Sequence, residues 1–334
     1  MRLPVILLGL ATIVATALTA IYLASPPARF AQPRRVTVAR GQPFGAVARN
    51  LARLGVVRSA LLLRWYAEWK GCATQVKPGL YAFAGGEGFA QVLDHLTRGD
   101  TVKIVVTIPE GMTVHQIGQR LQALGLVCDS DFDEAAFAGP LPRALGLGAL
   151  GVEGYLFPAT YAFSPDARTD DVLTAMLARF NAVLTPRVAA RMFELGLDER
   201  QLVTLASMVE KEAQVPGERA VIASVFLNRL HRNMPLQSDP TAQYNRAGEP
   251  EPALNSVHTA SAFNTYSISG LPPAPIANPG WPSIQAVLYP AQTDYLYFVA
   301  RPDGTHIFSR TLRDHEAAIA ALRRLRARES ARVN

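Results

Sequence analysis

TVARGQPFGAVARNLARLGVV (37–57) and TIPEGMTVHQIGQRLQALGLV (107–127) align without a gap at an offset of 70 residues. Thr37/Thr107, Gly41/Gly111, Leu51/Leu121, Leu54/Leu124 and Gly55/Gly125 are identical, and Val47/Ile117 and Val57/Val127 stay apolar. Each copy has the pattern of a short strand, a glycine turn, an amphipathic helix and a glycine stop. Between the copies, PGLYAF (78–83) reads as a strand and FAQVLDHLTRG (89–99) as a short helix. Strand–helix units of this kind predict a small α+β module over 36–105, with 106–152 as a second repeat or connecting module.

Toward the carboxyl terminus the character changes. EGYLFPATYAF (153–163) is aromatic and rich in strand formers. Helical patterns follow at 169–183, 186–195, 198–213 and 218–232. Residues 233–283 form a long loop-like stretch dense in Pro, Asn, Ser, Thr and Gly, and long loops inside a compact domain are usually functional. YLYFVA (295–300) and THIFS (305–309) flank Arg301-Pro302-Asp303-Gly304, a hairpin signal, and a last amphipathic helix runs from about 312 to 328. The expectation is a mixed α+β domain over 153–334.

Toward the amino terminus, Val5 to Ala24 carries no charge. At about 1.5 Å per residue such a run spans roughly 30 Å, the thickness of a bilayer core. The expected layout is a cytoplasmic tail at 1–4, a transmembrane helix at 5–24 and a Pro- and Ala-rich linker at 25–35; a cleaved signal peptide is the alternative, disfavoured because its apolar core usually has only about 7–15 residues. Arg29, Arg34 and Arg35 just after the span run against the positive-inside tendency. The tail is tiny and no second span follows, so the bulk of the chain is expected outside the cytoplasm.

Composition excludes several classes. Hydrophobic residues make up 49% and charged ones 18% of the 334 residues, which argues for a globular chain and against a disordered one. The net charge of +6 suits an anionic surface. No basic run interleaved with stacking aromatics appears, so no nucleic-acid partner is expected; Arg323, Arg324, Arg326 and Arg328 read as a solvated helix face. Two cysteines, Cys72 and Cys128, permit at most one disulfide and show no metal spacing. HExxH and GxSxG are absent. Gly146-x-Gly148-x-x-Gly151 matches the dinucleotide fingerprint, but Pro140 and Pro142 precede it where a strand should lie. No metal and no cofactor are expected.

The chemistry concentrates in LVTLASMVEKEAQVPGER (202–219). Asp198 and Gln201 make a capping-box start, and Leu202, Val203, Leu205, Ala206 and Val209 form an apolar stripe. Glu210 lies seven residues from Val203 and four from Ala206, so it points with that stripe. A glutamate against apolar neighbours has its charged form disfavoured and can act as a general acid. A glutamate snorkelling from the stripe's edge is the alternative. Glu212 is the main rival, about 200° around the helix, so both cannot face one groove; its structural role would be an ion pair with Lys211, Arg219 or another nearby base. Glu218 opens the next helix, where a carboxylate suits the dipole. In the polar stretch, Gln237, Ser238, Asp239, Tyr244, Asn264, Tyr266 and Asn278 offer the amide, hydroxyl and carboxylate groups that grip sugar hydroxyls and acetamido groups. An ordinary rigid loop with satisfied turns would use the same residues; Asp239, a second rival to Glu210, reads as a loop organiser or a substrate-positioning residue.

EGYLFPATY (153–161), VEKEA (209–213), FLNRL (226–230), LQSDPTAQY (236–244), NTY (264–266), GLPPAPIANPG (270–280), DYLYFVA (294–300) and DGTHIFS (303–309) follow one another in an order that resembles the endolytic murein transglycosylase family (MltG, YceG-like). Ala159 departs from the Asp usual at its position, and Ser238 from the common Thr. The resemblance implies an inner-membrane, single-pass enzyme with its catalytic domain in the periplasm and a LysM-like module at about 36–105. It implies Glu210 as catalytic acid/base. The implied reaction cleaves the MurNAc–GlcNAc bond within nascent peptidoglycan strands and leaves 1,6-anhydro-MurNAc ends. Association with peptidoglycan synthases is a further expectation of the resemblance. The competing readings are a muramidase that uses water and a membrane-anchored peptidoglycan-binding scaffold without catalysis.

Overall fold

The computed structural model describes residues 14–19, 21–244 and 261–333. The expected tail at 1–4 and the part of the expected span at 5–13 lie outside the described residues, as does 245–260 of the long polar stretch. Residues 14–19 and 21–24 are helical; among the described residues no helix is long and apolar enough to cross a membrane. The fold is mixed α+β, in two compact units: residues up to Ile104 with Ala162–Asp166, and Val105–Tyr161 with Ala167 onward.

In the first unit, β1 (Arg29–Val38) pairs antiparallel with β2 (Gly79–Gly85). Tyr81 and Phe83 of β2 point inward and Ala82 and Ala84 outward, the period-two pattern of a half-buried strand. Helices α1 (Phe44–Arg53), α2 (Ala60–Trp69) and α3 (Phe89–Arg98) add Val47, Leu51, Leu63, Val92 and Leu96 to the core under Val36, Val38, Tyr81 and Phe83. Arg29–Arg35 of the expected linker are therefore strand. The ladder slips between Arg29 and Arg34, around Pro33, which has no N–H to donate. Helix α2 escaped the sequence pattern because it is apolar on two sides: Leu63 and Ala67 are buried while Leu61, Trp65 and Trp69 are exposed.

The second unit opens with the second copy of the repeat. Its helix α4 (Val114–Ala123) lies three residues after Gly111, as α1 lies three after Gly41, and those glycines have φ of +77° and +76°. Gly55 and Gly125, past the helix ends, share φ +67°, a left-handed conformation that favours glycine. Leu51 and Leu121 are both fully buried. The sequence repeat is thus a backbone repeat, one copy in each unit.

EGYLFPATYAF is mostly turn. Only β4 (Thr160–Phe163) is strand, paired with β3 (Ile104–Thr107). Gly154 has φ +90°, and a Cβ there would sit 2.5 Å from Pro275 and 2.8 Å from Val203. Ala159 contributes its carbonyl, which accepts from the Ile108 N–H at 2.9 Å. Around Gly146-x-Gly148-x-x-Gly151 a short helix, α6 (Pro140–Ala144), precedes a single 3₁₀ turn. It follows α5 (Asp129–Phe137).

The remaining helices fall near their expected places: α7 (Thr169–Asn181), α8 (Pro186–Leu195), α9 (Glu199–Glu212) and α10 (Arg219–His231). The polar stretch contributes α11 (Asp239–Gln243), and α12 (Trp281–Leu288) follows it. β5 (Tyr297–Ala300) and β6 (His306–Ser309) form the expected hairpin, and α13 (Leu312–Val333) closes the chain. Helix α9 is the axis of this unit. Asp198 accepts from the Gln201 N–H and Gln201 accepts from the Asp198 N–H, the full capping box. Every residue from Leu202 to Val209 is buried, not only the expected stripe, because α10, α11 and α12 all pack against this helix. Two polar residues are taken inside: Ser207 Oγ donates to the Thr204 carbonyl and accepts from the Ile276 N–H.

Candidate active site

Three glutamates of the second unit sit in three different settings. The first is Glu210, in the last turn of α9. Its side chain is 7% exposed, and its neighbours are donors, which corrects the apolar setting expected from the stripe. Arg219 Nη2 approaches Oε1 at 3.4 Å. The Gly280 N–H and Ser283 Oγ–H donate to Oε2 at 3.1 and 2.8 Å. Arg219 also donates to Ser283 Oγ at 3.1 Å and lies 4.0 Å from Glu110. Glu210 therefore clips the start of α12, where a carboxylate suits the free N–H groups, to α9 and α10. The Glu110 carboxyl is pushed above its usual range, by burial first and by Glu210 second.

Glu212 faces the polar loop. Ser238 Oγ–H donates to its Oε1 at 2.6 Å. Burial pushes the Glu212 carboxyl up to about 7; the Ser238 bond opposes that rise and the charge of Asp239 adds to it. Neither Lys211 nor Arg219 takes the ion pair expected for Glu212: Lys211 reaches the Gly111 carbonyl and Arg219 goes to Glu210.

The loop facing Glu212 is braced by its own hydrogen bonds. Tyr266 Oη–H donates to Asp239 Oδ1 at 2.5 Å. Burial, and then that bond, hold the Tyr266 phenol well above its usual range, so it stays a donor. Thr265 Oγ1 accepts from the Ser238 N–H at 3.0 Å and meets Thr241 Oγ1 at 2.7 Å. Asn264, fully buried, accepts from the Tyr266 N–H and sets that turn. Arg229 of α10 reaches the carbonyls of Leu296, Pro235 and Leu236 and the side chain of Gln237. Gln237 is one of two non-glycine residues with positive φ among the described residues, at +51°, and its N–H donates to the Thr265 carbonyl. Strained backbone of this kind persists where the surroundings over-determine it, commonly at functional sites.

Glu153 is the third, 2% exposed. It accepts from the Val114 N–H at the start of α4, from Asn278 Nδ2 at 2.9 Å and from Tyr244 Oη at 3.0 Å. Burial nevertheless pushes its carboxyl up to about 7. Asn278 also donates to the Met112 carbonyl and accepts from the Leu156 N–H.

The structure thus divides the predicted residues. Ser238, Asp239 and Tyr266 gather around Glu212, with Gln237 and Asn264 shaping the loop. Tyr244 and Asn278 are turned onto Glu153, and Glu210 is turned onto Arg219 and α12. Thr241 and Thr265 belong to the polar stretch read from the sequence, whereas Glu153 and Arg229 were not singled out by sequence reasoning. An arginine inside the apolar helix pattern FLNRL was the available signal for the last. Glu218 bonds His306, through the His306 N–H at 3.0 Å and Nδ1 at 2.7 Å, and ties the start of α10 to the hairpin.

Fold and site together define a class: a mixed α+β protein with an acid of raised pKa at the end of a central helix, under a hydroxyl- and amide-rich loop. Residues 36–321 match the YceG-like family, and the chain belongs to it. It is 32% identical over 301 residues to a Bacillus subtilis protein named endolytic murein transglycosylase, covering 85% of this chain and 83% of that one. A Streptococcus pneumoniae protein of the same name is 30% identical over 318 residues, covering 85% of this chain and 57% of the relative. The crystal structure of a yceG-like protein from Listeria monocytogenes is similar with a TM-score of 0.59 and 29% identity, over 86% of this chain and 98% of that chain.

Proposed function

We propose that this chain is an endolytic murein transglycosylase that cuts the MurNAc–GlcNAc bond within peptidoglycan strands. The name of its relatives supports the reaction class. The observation that carries the mechanism is Glu212, a carboxyl pushed up to about 7 beside Ser238, Asp239 and Tyr266. Most glycosidases need a second carboxyl to activate water or to attack the sugar. A lytic reaction needs neither. Ser238 occupies Oε1 of Glu212, so Oε2 is the oxygen that carries the transferable proton. Glu212 gives it to the glycosidic oxygen as the bond to C1 of MurNAc breaks, and the freed sugar leaves as an alcohol. The resulting carboxylate then takes the proton of the C6 hydroxyl, whose oxygen bonds C1 and closes the 1,6-anhydro ring. The muramyl acetamido carbonyl stabilises the cationic centre between the two steps.

Glu210 is the second reading, favoured by the residue pattern and set against by three donors that already occupy both of its oxygens. The apolar run at 5–24 supports a single-pass membrane anchor, and the family resemblance is what supports an inner-membrane place with the catalytic domain in the periplasm. The LysM-like reading of 36–105 has that module hold the glycan, and peptidoglycan synthases supply nascent strands as partners.

Mass spectrometry of uncrosslinked glycan strands incubated with the wild-type chain, Glu212→Gln and Glu210→Gln tests the proposal. Anhydro-ended internal fragments that vanish only with Glu212→Gln are the expected result. Reducing-end fragments would make water the acceptor and defeat the lytic reading. Loss with Glu210→Gln alone would move the acid to Glu210.

A further inference from the structure

Helix α2 turns a second apolar face to solvent. Leu61, Trp65 and Trp69 recur every fourth residue and are 69%, 72% and 75% exposed, while Leu63 and Ala67 on the other side are buried in the core. A helix on a soluble surface normally carries polar residues there. The same face lines an open apolar groove that Leu62, Tyr66 and Phe89 share with Ile21 and Ala24. Ala24 is the last residue of the uncharged run 5–24, so the groove is continuous with the most apolar segment of the sequence. Its rim is basic. The Arg58 guanidinium lies 4.2 Å from the centre of the Tyr22 ring, and the Lys70 ammonium 4.8 Å from that of Trp69.

We propose that this face of α2 docks on the headgroup–acyl boundary of a lipid bilayer, Trp65 and Trp69 inserting beside the segment that ends at Ala24. Tryptophan and tyrosine favour that boundary because one ring offers an apolar body and a polar edge. Cations beside the rings suit anionic headgroups. A protein-covered face of this area would not need to run into an uncharged 20-residue segment that leads to the bilayer. The docking rests on the anchor reading above, and it goes further by giving the first unit its own membrane contact.

The experiment uses the full chain carrying Trp281→Phe, so that emission comes from Trp65 and Trp69, the other two tryptophans. It is reconstituted in vesicles of phosphatidylethanolamine and phosphatidylglycerol with bromine at shallow or deep acyl positions. Docking predicts blue-shifted emission that loses most of its intensity with shallow bromines and less with deep ones. Emission at the wavelength of water-exposed tryptophan, unquenched by any lipid, overturns it. Blue-shifted but unquenched emission also overturns it, because a second copy or residues 5–13 of the chain itself then cover the face. Alkaline extraction of the same vesicles scores the anchor separately. A chain that washes off yet is quenched when added back to vesicles keeps the docking and loses the anchor; one that washes off and stays unquenched loses both.

Discussion

Among the described residues Glu210 accepts from three donors and Glu212 from one, although the two are separated by a single lysine. That difference predicts opposite phenotypes. Glu212→Gln removes the transferable proton and lowers formation of anhydro ends by about 10²–10⁴-fold, the usual weight of a general acid, with little change in thermal unfolding. Glu210→Gln breaks a buried pair with Arg219. Its cost is about 3 kcal/mol, the lower end of the range for such pairs, because Glu110 remains 4.0 Å from Arg219. A lowered melting temperature with cleavage retained by the folded fraction is the expected outcome, and the reverse pattern would exchange the two roles. The sequence made both glutamates legible as candidates and showed that they could not share a groove, since helix geometry is local. It could not say which one met the polar loop. Ser238 and Ser283 lie 26 and 73 residues away, and nothing in the helix pattern specifies them.

Elements were the most legible scale. The helix starts at Phe44 and Val114, the glycines at 41, 55, 111 and 125 and the hairpin at 297–309 all follow from short-range patterns of apolar spacing and turn chemistry. The failures also have physical causes. EGYLFP is rich in aromatics that favour strands, but Gly154 bends it where Pro275 and Val203 leave no room for a side chain. Gly125→Ala, with nothing within 4 Å of the new Cβ, should cost about 1–2 kcal/mol from its positive φ alone. Gly154→Ala adds an overlap of about 1–3 kcal/mol to that strain and should cost about 2–5 kcal/mol in all. Equal losses in urea unfolding would show that Pro275 moves away and that the turn is not packed as described.

For the whole molecule, two buried carboxyls set a pH dependence. Glu153 and Glu212 are each raised from 4.5 to about 7. Between these values the folded chain holds protons that the unfolded chain has lost, so stability is highest on the acid side and falls as pH rises through the window. Each group contributes a slope of at most about 1.4 kcal/mol per pH unit there. Glu153→Gln keeps an acceptor for Val114 and Asn278 and can donate to Tyr244, so it should remove about half of the fall in unfolding free energy between pH 5 and 8. An unchanged slope would mean that Glu153 is ionised in the fold. Cleavage should lose its acid above about pH 7, an alkaline limb set by Glu212. The sequence by itself determined where α1, α3, α4, α7 to α10, α13 and the hairpin lie, because these depend on neighbours a few residues apart. Only the tertiary structure decided that the loop closes on Glu212, that Glu210 holds α12 and that Tyr244 and Asn278 serve Glu153. Those choices are made by donors brought from distant parts of the chain, and a buried carboxyl takes whichever donors packing delivers.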